Sequence, residues 1–333
     1  MLRYIIRRIL GAIVVLLAIS FFTFGLFFEI PHFLGADPAV LFAGRSPNAS
    51  TIAAVRHKLG LDESFWLQYW HFLKGIFVGR TFGTGVAAQQ CNAPCLGFSF
   101  INNEAVWPEI TSDLPVDVSL TIGAAILWLF SGVATGVLSA IRRRSIFDRA
   151  AMSVALAGVS LPIYFTGLIA LAIFAFKLKI FPGGGYVGIT SNPWEWLKHM
   201  ILPWVCLAFL FSALYARLTR AQMLETMGED YIRTARAKGL SESRVIFKHG
   251  LRAAITPIVT IFGLDVGTLL GSAVITESVF SMTGIGKLAI QSIFSRDLPV
   301  TLGVTLFAAF FVVVANIIVD VAYAFVDPRV QYS

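Results

Sequence analysis

The sequence predicts an all-α polytopic membrane protein with six transmembrane helices, and three observations carry that prediction. Of the 333 residues, 57% are hydrophobic and only 14% charged, against roughly 45–50% and 25% in soluble domains. The mean hydropathy is +0.77, which is more apolar surface than a soluble core of this size can bury. Six apolar runs, at 9–30, 118–141, 150–176, 200–216, 255–279 and 300–326, approach or exceed the roughly 20 residues that cross about 30 Å of hydrocarbon. A soluble globular enzyme is excluded.

The first run follows Arg3, Arg7 and Arg8, as in a signal peptide. It is longer than a signal h-region, and Pro31-His32-Phe33-Leu34 is no small-residue cleavage site, so it is expected to stay as an anchor. The remaining runs form a five-helix core. The expected division is a first helix at 1–30, an outer subdomain at 31–112, the core at 113–326 and a tail at 327–333.

Orientation follows from charge. The formal charge is +7, and 16 of the 26 Lys and Arg fall at the N-terminus, in 142–149, in 217–252 and at Arg329. Those short segments share one side in a six-span chain, so both ends are expected in the cytoplasm of a plasma-membrane protein. The basic balance is then topogenic, with no basic face and interleaved aromatics of the kind that binds nucleic acid.

The outer segment carries helix-like stretches at 50–59 and 64–77, the latter rich in Phe, Trp and Tyr, and a turn-rich exit at 79–85. Trp194, Trp196 and Trp204 flank the fourth run as interfacial aromatics would. Cys206 lies in a span, where it reads as a small packing residue. Cys91 and Cys95 lie in the outer segment, where a local disulfide is open to them; its loop is so small that the bridge stabilises little. A metal site is the weaker reading, because His32, His57 and His71 lack ligand spacing.

The loop at 217–252 is the most informative part of the chain. The stretch 225–238 has helix-forming composition, Gly239 ends it as a C′ residue would, and Ser241 is placed to cap a second helix carrying Val245, Ile246 and His249. Tyr231 and Ala235 should share one face while Arg233, Arg236 and Lys238 project elsewhere, giving a knob ringed by cations that suits a cleft on a soluble partner. Pattern alone favours a plainer role, a solvated basic loop that sets orientation.

Here the sequence resembles a known family. Asp230-Tyr231-Ile232-Arg233-Thr234-Ala235-Arg236-Ala237-Lys238-Gly239-Leu240 is similar to the cytoplasmic loop of dipeptide/oligopeptide permease subunits of ATP-binding-cassette importers. So are Met1-Leu2-Arg3-Tyr4 with Arg7-Arg8, Gly35-Ala36-Asp37-Pro38 and Leu59-Gly60-Leu61-Asp62. The likeness continues through Glu277-Ser278-Val279-Phe280 with Gly284-Ile285-Gly286, Arg296-Asp297-Leu298-Pro299, and 316–329. Departures are Arg233-Thr234-Ala235 where the wider family has Glu-Ala-Ala, Met282-Thr283-Gly284 where Pro-Gly is usual, and an insertion-like stretch at 87–105.

The resemblance implies the type I importer permease fold. It implies a second related permease, two cytoplasmic ATPase subunits that hold ATP and Mg, and an outer peptide-binding protein. This chain would form half the pathway, with no cofactor of its own, and would couple to an ATPase through Glu229, Asp230, Tyr231, Arg233, Ala235, Lys238, Gly239 and Leu240. The residues agree on one point: no G-x-x-x-x-G-K-[ST] loop is present, and Gly284-Ile285-Gly286-Lys287 lacks its spacing and hydroxyl. No convergent base and nucleophile suggest catalysis.

Polar groups at bilayer depth are costly and need a reason. In the fifth run Asp265, Thr268, Ser272 and Thr276 fall on one side, expected to face a watery pathway or the partner permease. Gly263, Gly267 and Gly271 form a small-residue ridge on the other, expected against a neighbouring helix. Asp265 is equally a buried acceptor, with Asn316 as a candidate partner. Asn316 and Asp320, four apart near Tyr323, read as a structural polar clamp, with a proton relay as the sharper alternative. Pro162, Pro203 and Pro257 should kink or begin helices. An ion-coupled secondary transporter, with Asp265 as its best residue, and a membrane scaffold are the competing classes.

Overall fold

In the computed structural model, residues 2–33, 37, 39–40, 48–83, 88–99, 101–271 and 273–326 are described. The chain begins with α1 (Leu2–Phe33), α2 (Ala49–Leu59) and α3 (Phe65–Val78). Two small antiparallel hairpins follow, β1 (Arg80–Phe82) with β2 (Gln89–Cys91) and β3 (Phe98–Ser99) with β4 (Glu104–Ala105). The helices α4 (Val106–Ile141), α5 (Ile146–Ser160), α6 (Ile163–Lys177) and α7 (Pro193–Thr226) come next. The last group is α8 (Asp230–Ala237), α9 (Glu242–Ala254), α10 (Thr256–Gly271), α11 (Val274–Val279), α12 (Ile285–Ser295) and α13 (Leu298–Val326).

Four of these helices, α1, α4, α7 and α13, are long and apolar enough to cross a membrane; the number is six if α5–α6 and α9–α10 each form one bent span. The third and fifth runs are therefore not the straight helices their hydropathy suggested. Between α5 and α6 the chain turns by 102°, because Pro162 supplies no N–H and pushes Leu161 into extended backbone (φ −88°, ψ 124°). The fifth run bends by 50° where α9 meets α10, beside Pro257, and α10 ends at Gly271, leaving Thr276 on the separate helix α11. By contrast α4 starts at Val106, ahead of the boundary drawn at 112, and runs 36 residues, while α7 runs 34. At 1.5 Å per residue both exceed 50 Å, so they project beyond the hydrocarbon.

The bundle is held at glycines. A Cβ on Gly132 of α4 would lie 2.6 Å from Cβ of Tyr215, and one on Gly136 would lie 2.5 Å from Cβ of Thr219, both on α7. Further along, Gly123 is covered by the Trp204 indole, whose Nε1 donates to the Ser119 carbonyl at 2.9 Å. Trp204 is thus a buried packing residue rather than an interfacial anchor, and Trp196 Nε1 likewise turns inward to Ser119 Oγ at 3.2 Å. Trp194 alone of the three stays exposed.

The ridge predicted on the fifth run packs on α13. Cβ atoms on Gly263, Gly267 and Gly271 would meet Val319, Ala315 and Ala308 at 1.7, 2.4 and 3.2 Å. Within lipid such backbone approach, rather than a hydrophobic driving force, binds helices together. The main core lies between these seams, where Trp128 stacks on Phe211 at 4.6 Å and Tyr215, Met200, Leu207 and Ile258 are fully buried.

Within 79–105, expected as a turn-rich exit and an insertion, the described residues form the two hairpins. Cys91 and Cys95 are joined by a disulfide and buried with Phe82 and Phe98. This unit rests on the bundle: Ser99 Oγ donates to Asp297 just before α13, and Gly97 lies against Pro299.

Replacing Gly267 by Leu forces its side chain into Ala315 and should cost about 1–3 kcal/mol of overpacking strain. Thermal melting of the detergent-extracted protein should show a lower midpoint for Gly267→Leu and none for Gly11→Leu, where nothing lies within 4 Å of the Cβ. Equal midpoints would contradict the seam.

Candidate functional site: an exposed helical elbow and the polar groups of the bundle

The elbow is built from short-range hydrogen bonds. Helix α8 ends in a left-handed residue, Gly239 at φ +74°, whose N–H donates to the Arg236 carbonyl at 2.9 Å while the Leu240 N–H reaches the Ala235 carbonyl at 3.4 Å. That pair of bonds is the Schellman arrangement expected of a C′ glycine. A Cβ on Gly239 would meet nothing within 4 Å, so torsion rather than space selects glycine here.

Ser241 precedes α9 in extended backbone, but its side chain makes no capping bond. The two helices are tied instead by Arg236, which donates through Nε and Nη2 to the two Glu242 oxygens at 2.8 and 3.4 Å. Both side chains are substantially exposed, so this pair sets geometry more than it adds stability.

The expected knob is altered in one respect. Ala235 is buried with Ile232 and Val245 inside the elbow, packed by Met227 and Leu240, and so does not share the exposed face. Tyr231 remains 46% exposed, and Arg233 and Lys238 are exposed beside it. Partial burial, with Glu229 nearby, pushes the Tyr231 phenol above its ordinary value, so it stays a neutral donor. A second exposed aromatic, Phe247, was missed by sequence periodicity, because residues 245–250 wind as a π-helix and shift the outward face.

The elbow sits on the ends of α4 and α7. Val137, Ala140, Met223 and Ala254 form a buried cluster there, and Gly250 lies against the Met227 sulfur. Beside it Arg220 of α7 grips Asp148 of α5 with two bonds, Nε to Oδ1 at 2.7 Å and Nη2 to Oδ2 at 2.9 Å. Ser139 Oγ and the Arg144 N–H complete the Asp148 carboxylate. One side chain thereby locks the turn between α4 and α5 onto α7.

Inside the bundle the predicted polar stripe is not continuous. Asp265 Oδ2 accepts from Tyr215 Oη at 2.8 Å, so its partner comes from α7 and is not Asn316. Thr268 Oγ1 donates back to the Leu264 carbonyl at 2.8 Å. Thr276 is buried on α11, and Ser272 lies outside the described residues. Asn316 is half-buried and has no side-chain hydrogen-bond partner among the described residues; the side chains of Asp320 and Tyr323 lie outside them.

A buried carboxylate pair was not foreseen. Glu277, fully buried, accepts from the Ala273 N–H at 3.1 Å and the Lys287 N–H at 2.7 Å, while Asp117 of α4 accepts from the Ile285 N–H at 2.8 Å. Gly284 and Gly286 let these carboxylates reach the start of α12, since a Cβ on either would lie within 2.7 Å of Glu277 oxygens. The signal available in sequence was the Gly-Ile-Gly turn seven residues after an intramembrane Glu.

These features define an integral membrane protein: a bundle of apolar helices, closed at glycine seams, with a basic elbow exposed at one end. Family models match two parts of the chain, the binding-protein-dependent transport system inner membrane component over 132–332 and the N-terminal membrane component of such systems over 1–121. The chain belongs to this family.

Among its relatives, a putative peptide transport system permease protein of Brucella abortus (strain 2308) is 38% identical over 329 residues, covering 99% of each chain. The glutathione transport system permease protein of Escherichia coli (strain K12) is 36% identical over 333 residues and all of both chains. The dipeptide transport system permease protein of Alkalihalophilus pseudofirmus is also 36% identical, over 352 aligned positions covering both chains fully. The fold is similar to a chain of the inward-facing MetNI methionine ABC transporter, with a TM-score of 0.52 over 66% of this chain and 97% of that one at 17% identity.

Two substitutions separate the buried pairs. Tyr215→Phe removes a donor and leaves Asp265 unpaired, and Glu277→Ala orphans two N–H groups; each should cost about 1–3 kcal/mol. Chemical unfolding of the extracted protein should show both losses, with the double variant near their sum. Wild-type stability in Glu277→Ala would contradict the pinning of α12.

Proposed function

We propose that this chain is a permease subunit of an ATP-binding-cassette importer and forms half of a translocation pathway for short peptides. The observation that carries this reading is full-length relationship, at 36–38% identity, to permeases named for peptide, dipeptide and glutathione transport. On this reading both termini are cytoplasmic, as the distribution of Lys and Arg favours. A second permease of the same family completes the pathway, two ATPase subunits bind ATP and Mg, and an outer binding protein delivers peptide. The gradient-driven alternative is not favoured, since the relatives belong to binding-protein-dependent systems and Asp265 is occupied by Tyr215.

The coupling device is the elbow. Tyr231, Arg233 and Lys238 present an aromatic and two cations outward, while Ile232, Ala235 and Val245 hold the shape from inside. An ATPase cleft that closes on this knob would move α7 as one body with α4 and α5, because Arg220, Asp148 and the glycine contacts bind them together. Rocking of such packed helices opens a pathway first to one side and then to the other. Of the intramembrane residues named from sequence, Ser272, the exposed Thr268 and the half-buried Asp265 remain candidates for the pathway wall of the assembled dimer, whereas Thr276 is buried within the chain.

Reconstituted with its partners, Tyr231→Ala should weaken ATPase-subunit capture about 30-fold, the effect of losing an aromatic anchor worth about 2 kcal/mol. Gly239→Pro imposes a negative φ and removes an N–H that the turn uses; it should leave the bundle inserted and abolish coupling of ATP hydrolysis to peptide uptake. Coupled uptake at the wild-type rate in both variants would remove the elbow from the mechanism.

A further inference from the structure

Helix α3 belongs by sequence to the segment outside the membrane, yet its contacts lie at bilayer depth. Its inward face is Phe65, Tyr69, Phe72 and Ile76. Tyr69 Oη bonds Ser20 Oγ at 2.8 Å and donates to the Leu17 carbonyl at 3.3 Å. Over the residues whose side chains are described, the apolar span of α1 covers Ile6–Phe27, and the helix continues to Phe33. Ser20 and Leu17 therefore sit at least about 10 and 15 Å inside its end at 1.5 Å per residue.

A second gauge agrees. Phe72 is buried with Phe24, Leu302 and Leu306, and the last two lie about 6 and 12 Å inside the start of α13. Two crossing helices thus place the packed face of α3 within one leaflet, about 15 Å thick.

The opposite face is apolar and uncovered. Trp66, Trp70 and Phe77 are 69, 60 and 80% exposed, Val78 continues the surface, and Lys74 lies on the same stripe. Trp66 stacks on Phe21 of α1 with ring centroids 5.7 Å apart, which joins this face to the exposed Phe22 and Leu26 of a membrane-crossing helix. Tryptophan at a membrane interface, with a lysine whose stem lies on apolar surface and whose ammonium reaches polar groups, is the pattern of a helix lying in the bilayer boundary.

We infer that α3 is immersed in the leaflet on the side of residues 48–105, with Trp66, Trp70 and Phe77 on acyl chains and Lys74 at the phosphates. Its partner is phospholipid. The test uses the assembled complex in nanodiscs of phosphatidylcholine and phosphatidylglycerol, with a nitroxide at Trp70→Cys or Phe77→Cys. Wild type is the labelling blank, since Cys206 is buried and Cys91 and Cys95 are bridged. Collision rates with oxygen and with a water-soluble nickel chelate are compared with Phe22→Cys and Phe130→Cys as lipid references and Arg143→Cys as the aqueous one.

Oxygen access matching the lipid references, with the chelate excluded, is the expected result. Chelate access matching Arg143→Cys would place the face in water. Exclusion of both probes would mean that protein, a second permease or a binding protein, covers it. Either of the latter results overturns the inference.

Discussion

Close backbone contact at glycine is the constraint on which the rest of this structure depends. In lipid, apolar side chains gain little by leaving one apolar surface for another, so helices associate where their backbones approach and their polar groups pair. Gly132 and Gly136 admit α7 to α4, Gly158 admits it to α5, and Gly263, Gly267 and Gly271 admit α13 to α10. A Cβ at Gly132, Gly136, Gly263 or Gly267 would lie well inside the van der Waals limit, and one at Gly158 or Gly271 would press on its neighbour at 3.0 or 3.2 Å. The large buried residues, Trp128, Tyr215 and Met200, fill what the seams leave between them.

From those seams follows the status of α7 as the central rod. It contacts α4 along most of its length, holds Asp265 of α10 through Tyr215 and Asp148 of α5 through Arg220, and then continues to the elbow. The polar pairs sit at different levels and serve different joints. Arg220–Asp148 fixes the end nearest the elbow, Tyr215–Asp265 the middle, and Asp117 with Glu277 pins α12 onto α4 at the other end. A motion imposed on the elbow is therefore delivered to several helices together rather than absorbed in one loop.

Much of this was readable from residue pattern. Apolar runs gave the membrane class, and the ridge at Gly263, Gly267 and Gly271 was placed correctly because its three members recur every fourth residue. Gly239 announced its own left-handed turn. What pattern did not reveal came from tertiary context. The break at Pro162 bends the chain by 102°, a size no hydropathy window reports. Ala235 turned inward because Ile232 and Val245 need a third apolar wall, and Phe247 turned outward through a π-helical turn. Asp265 found Tyr215 across α7, a partner fifty residues away with no marker in sequence. The seam at Gly132 and Gly136 was visible in principle by the same spacing, and the elbow's likeness to a permease loop drew on several motifs in order.

The central claim is that the exposed face of the elbow is the coupling surface to an ATP-hydrolysing partner. The most direct measurement places a photo-crosslinking amino acid at position 231 in native membranes and identifies the adduct by mass spectrometry. The account predicts one protein adduct carrying a G-x-x-x-x-G-K-[ST] phosphate loop, and no such adduct from position 130, which is exposed on α4 within its apolar span. Adducts only with lipid, or none from position 231 in membranes that import peptide through this chain, would contradict it.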